Sequence, residues 1–282
     1  MATVVDSSIN YRGHTKLPFY QSELRRPARE RASRPWTAET LLPVLDDAGV
    51  DKAVLLSSIA AAGVGGEPDA IHADEVYPEL LKAPDRLYGY VGLNPTLPIR
   101  ENLRYLDYAI GELGFRGAHV YPHWWGIRID DRSYWPLYAK CEELQAPIML
   151  QVGSPTPRNR ATIAARPSWL DPVAFDFPEL TILGVHIGTP WADEMIMMCR
   201  NYENVYMIAD AHHPSTWEPQ LVQYLNGGGR QNLDGIQKII WGSDWPIQDI
   251  KTSLNEAKEL PISPEAYDNL MGLNALRVMN LG

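Results

Sequence analysis

Cysteine is nearly absent from this chain of 282 residues: only Cys141 and Cys199 occur, far apart in sequence and each inside a helical pattern. That excludes a disulfide framework and points to a reducing cytoplasm. Long apolar runs are missing too. No stretch approaches the length that spans a bilayer, and Met1-Ala-Thr-Val-Val-Asp6 has no basic region followed by an apolar one, so neither a membrane span nor an export signal is expected. Basic charge is in deficit, with a formal net charge of −10 and a pI near 5.2. A nucleic-acid partner would call for a basic face to displace counterions from phosphates and is not expected. No glycine-rich dinucleotide fingerprint follows the first apolar run. Asn226-Gly-Gly-Gly-Arg230 has no strand directly before it and no Lys-Ser or Lys-Thr after it, so it reads as a connection and not as a phosphate loop. What is left is a globular chain that handles a small molecule.

What is present is alternation. Short apolar runs over residues 3–6, 53–56, 87–93, 114–120, 147–153, 180–186, 205–208 and 238–241 alternate with helical patterns. After Thr37, a candidate N-cap, Leu41, Leu42, Leu45 and Ala48 recur at helical spacing until Gly49, a candidate C-cap. Residues 100–113 carry Leu103, Leu106, Ile110 and Leu113 on one face. Further helices are expected over residues 70–82, 133–144 and 192–202, from about Thr252, and from Pro264, whose proline suits a first turn. Residues 169–177 read as a short connection. No composition shift marks a linker, so residues 1–282 read as one α/β domain. Residues 11–36 carry Arg12, Lys16, Arg25, Arg26, Arg29, Arg31 and Arg34 with little apolar periodicity. They read as an insertion after the first strand: either a solvated or oligomer-contacting arm, or a lid whose arginines pair with a substrate carboxylate.

Two of the apolar runs end in the same way. Lys238-Ile-Ile-Trp-Gly-Ser-Asp-Trp-Pro246 delivers Asp244 at the close of a strand, and Leu180-Thr-Ile-Leu-Gly-Val-His-Ile-Gly188 delivers His186. An ionisable residue at the C-terminal end of a barrel strand lies on the face where such barrels keep their chemistry. With Gly114-Phe-Arg-Gly117 and Asn204-Val-Tyr-Met207, these stretches resemble the amidohydrolase-related family, the branch of aminocarboxymuconate-semialdehyde decarboxylase, resorcylate-type decarboxylases and small lactone or amide hydrolases. The resemblance covers most of the chain. It implies a single (β/α)8 TIM barrel, a hydrolase or decarboxylase-type lyase acting on a small cyclic or aromatic carboxylated compound, and a homo-oligomer.

In that family a divalent metal, typically zinc, is held by a first-strand His-x-His pair, a fifth-strand histidine and the eighth-strand aspartate, while the sixth-strand histidine moves protons. Here the leading Asp is kept as Asp6, but the His-x-His positions are Ser8 and Asn10, and the fifth-strand position is Gln151. A hydroxyl and two amides are poor ligands for a zinc-like ion. No metal cofactor is therefore expected, and Ser8, Asn10 and Gln151 become substrate-orienting groups. His186 and Asp244 are the expected catalytic pair, with His186 as acid–base group and Asp244 either stabilising its charge or itself carrying the second proton. His119, Tyr121, His123, Trp124 and Trp125 suit a pocket for a flat ligand and equally suit a plug capping the barrel. Asp210 and His212 fall near another strand end and join the substrate-binding candidates. Two other readings stay open: a metal-dependent hydrolase with a rebuilt site using His119 or His123 with His186 and Asp244, and a barrel that binds a ligand without catalysis.

Overall fold

The computed structural model describes residues 2–12, 26–33, 35–60, 69–153, 162–227 and 234–282. Lys16, Arg25 and Arg34, Gly63–Gly66 and Gly228–Arg230, all singled out in the sequence, lie outside the described residues. Strands β1 (Val5–Asn10), β2 (Lys52–Leu56), β3 (Leu87–Gly92), β4 (Gly117–Val120), β5 (Ile148–Gln151), β6 (Ile182–Val185), β7 (Val205–Ala209) and β8 (Ile239–Trp241) pair in that order, all parallel. The sheet returns to its start through a parallel bridge between Ile9 and Trp245, where the Asn10 amide donates to the Trp245 carbonyl at 2.9 Å. The expected TIM barrel is thus the observed one.

The strands read as short apolar runs because both of their faces are covered. Side chains alternate across each strand, so Val54, Leu56, Tyr90, Met149, Val185 and Ile208 fill the barrel. Their neighbours Leu55, Val91, Val120, Leu150, Ile182 and Met207 pack outward against the helices. The last segment of the chain plugs the end from which the strands start. Val278, Met279 and Leu281 join the interior cluster, the Tyr90 hydroxyl donates to Met279 O (3.1 Å), and Lys52 Nζ donates to Leu281 O (2.9 Å). Beside it, the buried ammonium of Lys238 donates to the carbonyls of Tyr202, Glu203 and Val205 at 3.0, 2.7 and 3.1 Å, which ties the start of β8 to the start of β7. With that end filled, the C-terminal strand ends form the mouth.

Several expected boundaries shift for physical reasons. The first strand runs on to Asn10 instead of stopping at Asp6. Its register shifts between Asp6 and Ile9, and the polar side chains in the shift are satisfied inside the barrel, Ser7 Oγ donating to Trp241 O at 2.7 Å. The helix expected over residues 100–113 is observed as Ile99–Leu106 followed by a π-helical turn, Asp107–Glu112. The segment read as a connection, 169–177, contains the helix Leu170–Asp176. Leu170, Val173 and Ala174 are buried on one side of it, an i, i+3, i+4 pattern too short to stand out. As expected, the helix Ala38–Ala48 ends at Gly49 in the left-handed conformation (φ 79°).

Candidate active site

Strand parity carries a set of polar side chains to the mouth. His119 and Tyr121 follow the inward parity of β4, and Asn10 and Gln151 are the last residues of β1 and β5. His186, Asp210 and Asp244 come within three residues of the ends of β6, β7 and β8. The backbone turns sharply there: His186, Ile187, Ala211 and Asp244 have φ of 76°, 63°, 57° and 51°. Left-handed conformations are uncommon for non-glycine residues, and uncommon for a β-branched one above all, so their concentration at three adjoining strand ends makes the mouth the candidate functional locus.

The centre is His186. Its ring Nδ1 lies 2.8 Å from Asp210 Oδ1, and its own backbone amide donates to the same oxygen at 2.9 Å. The other Asp210 oxygen, Oδ2, accepts from Ser8 Oγ at 2.6 Å. Asp210 is fully buried, so its charge is balanced by these donors and by the imidazole. Burial by itself lowers the His186 imidazole, but the charge of Asp210, their hydrogen bond and the charge of Asp244 outweigh it and raise the group to about 9. That shift favours the imidazolium at neutral pH, with Nδ1 held by Asp210 and Nε2 not engaged by that bond.

Asp244 sits across from it. Asn10 Nδ2 donates to Asp244 Oδ1 at 2.6 Å, and the Asp244 amide donates to Ser8 Oγ at 3.2 Å. Burial raises the Asp244 carboxyl above the usual carboxylate range, while the His186 charge acts against that rise and Asp210 adds to it. Deeper in, Asp6 accepts from the Ser243 amide (2.9 Å), Ser243 Oγ (2.6 Å) and the Ser8 amide (3.3 Å). Burial outweighs those bonds and pushes it up to about 7. The Tyr121 hydroxyl pairs with Ser58 Oγ at 2.8 Å and donates to Asn10 Oδ1 at 3.4 Å. His119 is fully buried edge-on to Tyr121, ring centres 4.1 Å apart. Neither of its ring nitrogens has a hydrogen-bond partner among the described residues. Burial, reinforced by the His186 charge, lowers it to about 3 and keeps it neutral.

Ser8, Asn10, His119, Tyr121, His186, Asp210 and Asp244 therefore form one connected cluster. Gln151 is buried at the end of β5. His212 adjoins the cluster, its amide donating to Asp210 O at 2.6 Å. Burial, then the His186 charge, lowers its imidazole. His123 and Trp124 stand further out on the short helix Pro122–Trp125, Trp124 facing Tyr121 at 6.3 Å between ring centres. Sequence reasoning paired His186 with Asp244, whereas the direct hydrogen-bond partner is Asp210. The signal was there: Asp210 follows an apolar run in the manner of His186 and Asp244. Ser58 and Ser243 were not foreseen as site residues, although Ser243 stands inside the Trp241–Pro246 stretch, next to Asp244.

The model of the amidohydrolase family matches residues 11–281, and the chain belongs to that family. Among curated proteins none matches the sequence significantly. Solved structures that it resembles are full-length barrels. An uncharacterized TIM-barrel protein from Bordetella bronchiseptica is 19% identical with a TM-score of 0.80, with 99% of each chain covered. A 2,6-dihydroxybenzoate decarboxylase from Rhizobium is 18% identical with a TM-score of 0.71, covering 100% of this chain and 99% of its own. A dihydroxybenzoic acid decarboxylase from Polaromonas sp. JS666 is 17% identical with a TM-score of 0.73, covering 100% and 98%, and was crystallised with manganese and 2-nitroresorcinol.

That manganese corrects the expectation of no cofactor: a barrel similar to this chain over its whole length binds a divalent cation. The donors of this chain nevertheless do not fit a metal in the arrangement described. Ser8 and Asn10 present hydrogen-bond donors to Asp210 and Asp244 where a ligand would present lone pairs. Among the described residues no three His, Cys, Asp or Glu side chains are grouped to hold an ion.

Proposed function

We propose that this chain is a decarboxylase-type carbon–carbon lyase acting on a small aromatic carboxylate. One observation carries the reading: the buried His186 ring is clamped through Nδ1 by Asp210, 2.8 Å away, whose charge favours the imidazolium and leaves Nε2–H as the proton to be given. A group that stays protonated at neutral pH is suited to give a proton rather than to activate water as a base. The His186 Nε2–H protonates the ring carbon that bears the carboxylate. The bond to the carboxyl carbon then breaks, its electron pair returns to the ring, and CO2 departs. The imidazole regains its proton from solvent. Asp210 fixes the ring and stabilises its charged form, and Asn10 holds Asp244 beside the reacting carbon. The neutral His119 offers one donor and one acceptor to ring substituents of the substrate, and the Tyr121 hydroxyl, whose proton goes to Asn10, offers a remaining lone pair. Ser8 is not a nucleophile in this scheme, because its hydroxyl is committed to Asp210 and not to the imidazole.

The test is product analysis on 2,6-dihydroxybenzoate, 5-carboxyvanillate and a set of lactones, with manganese supplied. The expected result is loss of CO2 from an aromatic acid, reduced about 10²–10⁴-fold in His186→Gln. Lactone hydrolysis without CO2 release would replace this reading with a hydrolase. Two coarser expectations join the proposal. The homo-oligomer implied by the family resemblance should show as a mass above that of one chain in light scattering. A cytoplasmic setting is supported by the two buried free thiols, Cys141 and Cys199. No helix among the described residues is long and apolar enough to cross a membrane.

A further inference from the structure

The chain just after Asp244 is gripped from outside the barrel by the helix Arg26–Ala32 and by Trp36. Arg31 makes the grip. Its Nε donates to Pro246 O at 3.0 Å and its Nη2 to Ile247 O at 2.8 Å. The guanidinium carbon lies 5.4 Å from the centre of the Trp245 ring. Trp36 meets Trp245 edge-on at 4.8 Å and donates through Nε1 to Arg31 O at 3.0 Å, so the arginine's own backbone is fixed by the ring that packs beside it on Trp245. Ala28 and Ala32 form a small apolar cluster with Ile247. On the inner side the same stretch is tied to β1: Asn10 donates to Trp245 O through its amide (2.9 Å) and through Nδ2 (3.2 Å), and through Nδ2 to Asp244 Oδ1 (2.6 Å). Residues 244–247 are thus held between barrel and arm.

We propose that Arg31 is a positioning residue, which sets the pose of Asp244 against Asn10 by fixing the Pro246 and Ile247 carbonyls and the Trp245 ring. The left-handed backbone of Asp244 (φ 51°) persists only where the surroundings over-determine it. The barrel side supplies Asn10 and Ser8, and the arm supplies the other half of the constraint. The planar guanidinium reaches two successive carbonyls and stacks on an indole at once, which an ammonium cannot do. Arg31 makes no contact with the charged groups that face Asp244 from the other strand ends, namely His186, Asp210 and Asp6, so its influence passes through the backbone. The inference goes beyond the proposed reaction, because it concerns the Asp244–Asn10 contact whatever that contact serves.

The experiment reads that contact directly, in the full chain, by the side-chain amide resonances of Asn10. Arg31→Ala is expected to move them toward free-amide values and to speed amide exchange at Asn10 and Ile247 about 10-fold or more. Arg31→Lys, which keeps one of the two carbonyl bonds, should fall between. Asn204→Ala serves as the control for general loosening. It lies before β7, at the opposite end of the barrel, and removes Nδ2 bonds to Phe177 O (2.8 Å) and Leu180 O (3.0 Å); it should lower stability and leave the Asn10 signals in place. Unmoved Asn10 signals in both Arg31 variants would overturn the proposal, as would an equal shift in Asn204→Ala. Should Arg31→Ala not fold, Arg31→Lys against the same control gives the decision.

Discussion

At the scale of the residue, His186 owes its protonation to a neighbour 24 positions along the chain. Replace Asp210 by Asn and its charge, the largest influence raising the imidazole, is lost while burial remains, so the group should fall below the ordinary histidine value of about 6.5. If the imidazolium is the proton donor, kcat/KM of the wild type is flat through neutrality and declines as pH passes about 9. In Asp210→Asn this alkaline decline should move below pH ~6.5, with a loss of about 10²–10⁴-fold at neutral pH. A pH–rate profile checks both. Combined with His186→Gln, the Asn substitution should add little, since residues acting as one unit are strongly non-additive. An unmoved alkaline limb would show that Asp210 does not set the charge of His186.

At the scale of the element, the approach of β1 to β8 leaves room only for glycine where the two run side by side. A Cβ on Gly242 would lie 2.5 Å from Ser8 Oγ and 2.7 Å from Ser7 Oγ. Gly242→Ala should therefore displace Ser8 from Asp210 and, through it, tilt His186. The expected outcome is a fall in turnover of roughly 10-fold or more with a stability cost of about 1–3 kcal/mol from overpacking. Turnover measured beside urea unfolding checks it. A variant with full turnover would mean that the Ser8–Asp210 contact is dispensable. The strand ends tell the same story from the backbone side: four non-glycine residues in left-handed conformation gather where β6, β7 and β8 deliver their side chains. The scaffold holds that strain.

At the scale of the whole molecule, the buried mouth groups make stability depend on pH in a definite direction. Asp6 has a folded value raised to about 7, so between its unfolded value of about 4 and 7 the folded chain binds more protons than the unfolded one. Stability from this group is complete below that window and is lost as pH rises through it. His186, raised to about 9, acts with the same sign in a higher window: its contribution is full below about 6.5 and is lost as pH rises to about 9. The unfolding free energy of the wild type minus that of Asp6→Asn should thus fall from pH 4 to 7 and level off. The corresponding difference for His186→Gln should fall between pH 6.5 and 9. Urea denaturation across this range checks both, and slopes of the opposite sign would refute the assigned environments.

Local regularities in the chain were enough for the α/β class, while closure into a barrel rested partly on the family resemblance. Eight apolar runs alternating with amphipathic stretches have one economical solution, a parallel sheet buried on both faces, and strand parity already points His119 and Gln151 inward, whereas Asn10 reaches the mouth through the register shift in β1. The same regularities place His186 and Asp244 at strand ends. They do not decide which acid His186 meets. That choice depends on how β6 and β7 sit in register and on a left-handed turn at His186 itself, both of which involve residues distant in sequence, so Asp210 became the partner although Asp244 carries the more distinctive motif. The arm shows the same limit. Its arginines read from the sequence as either solvated or facing the mouth, yet Arg31 does neither: it binds carbonyls of the segment after Asp244. Periodicity records which face of an element is covered. What covers it, and which donor finds which acceptor, is settled only when the elements are packed, because hydrogen-bond geometry is sharp and the strands that supply its two ends are brought together by the fold alone.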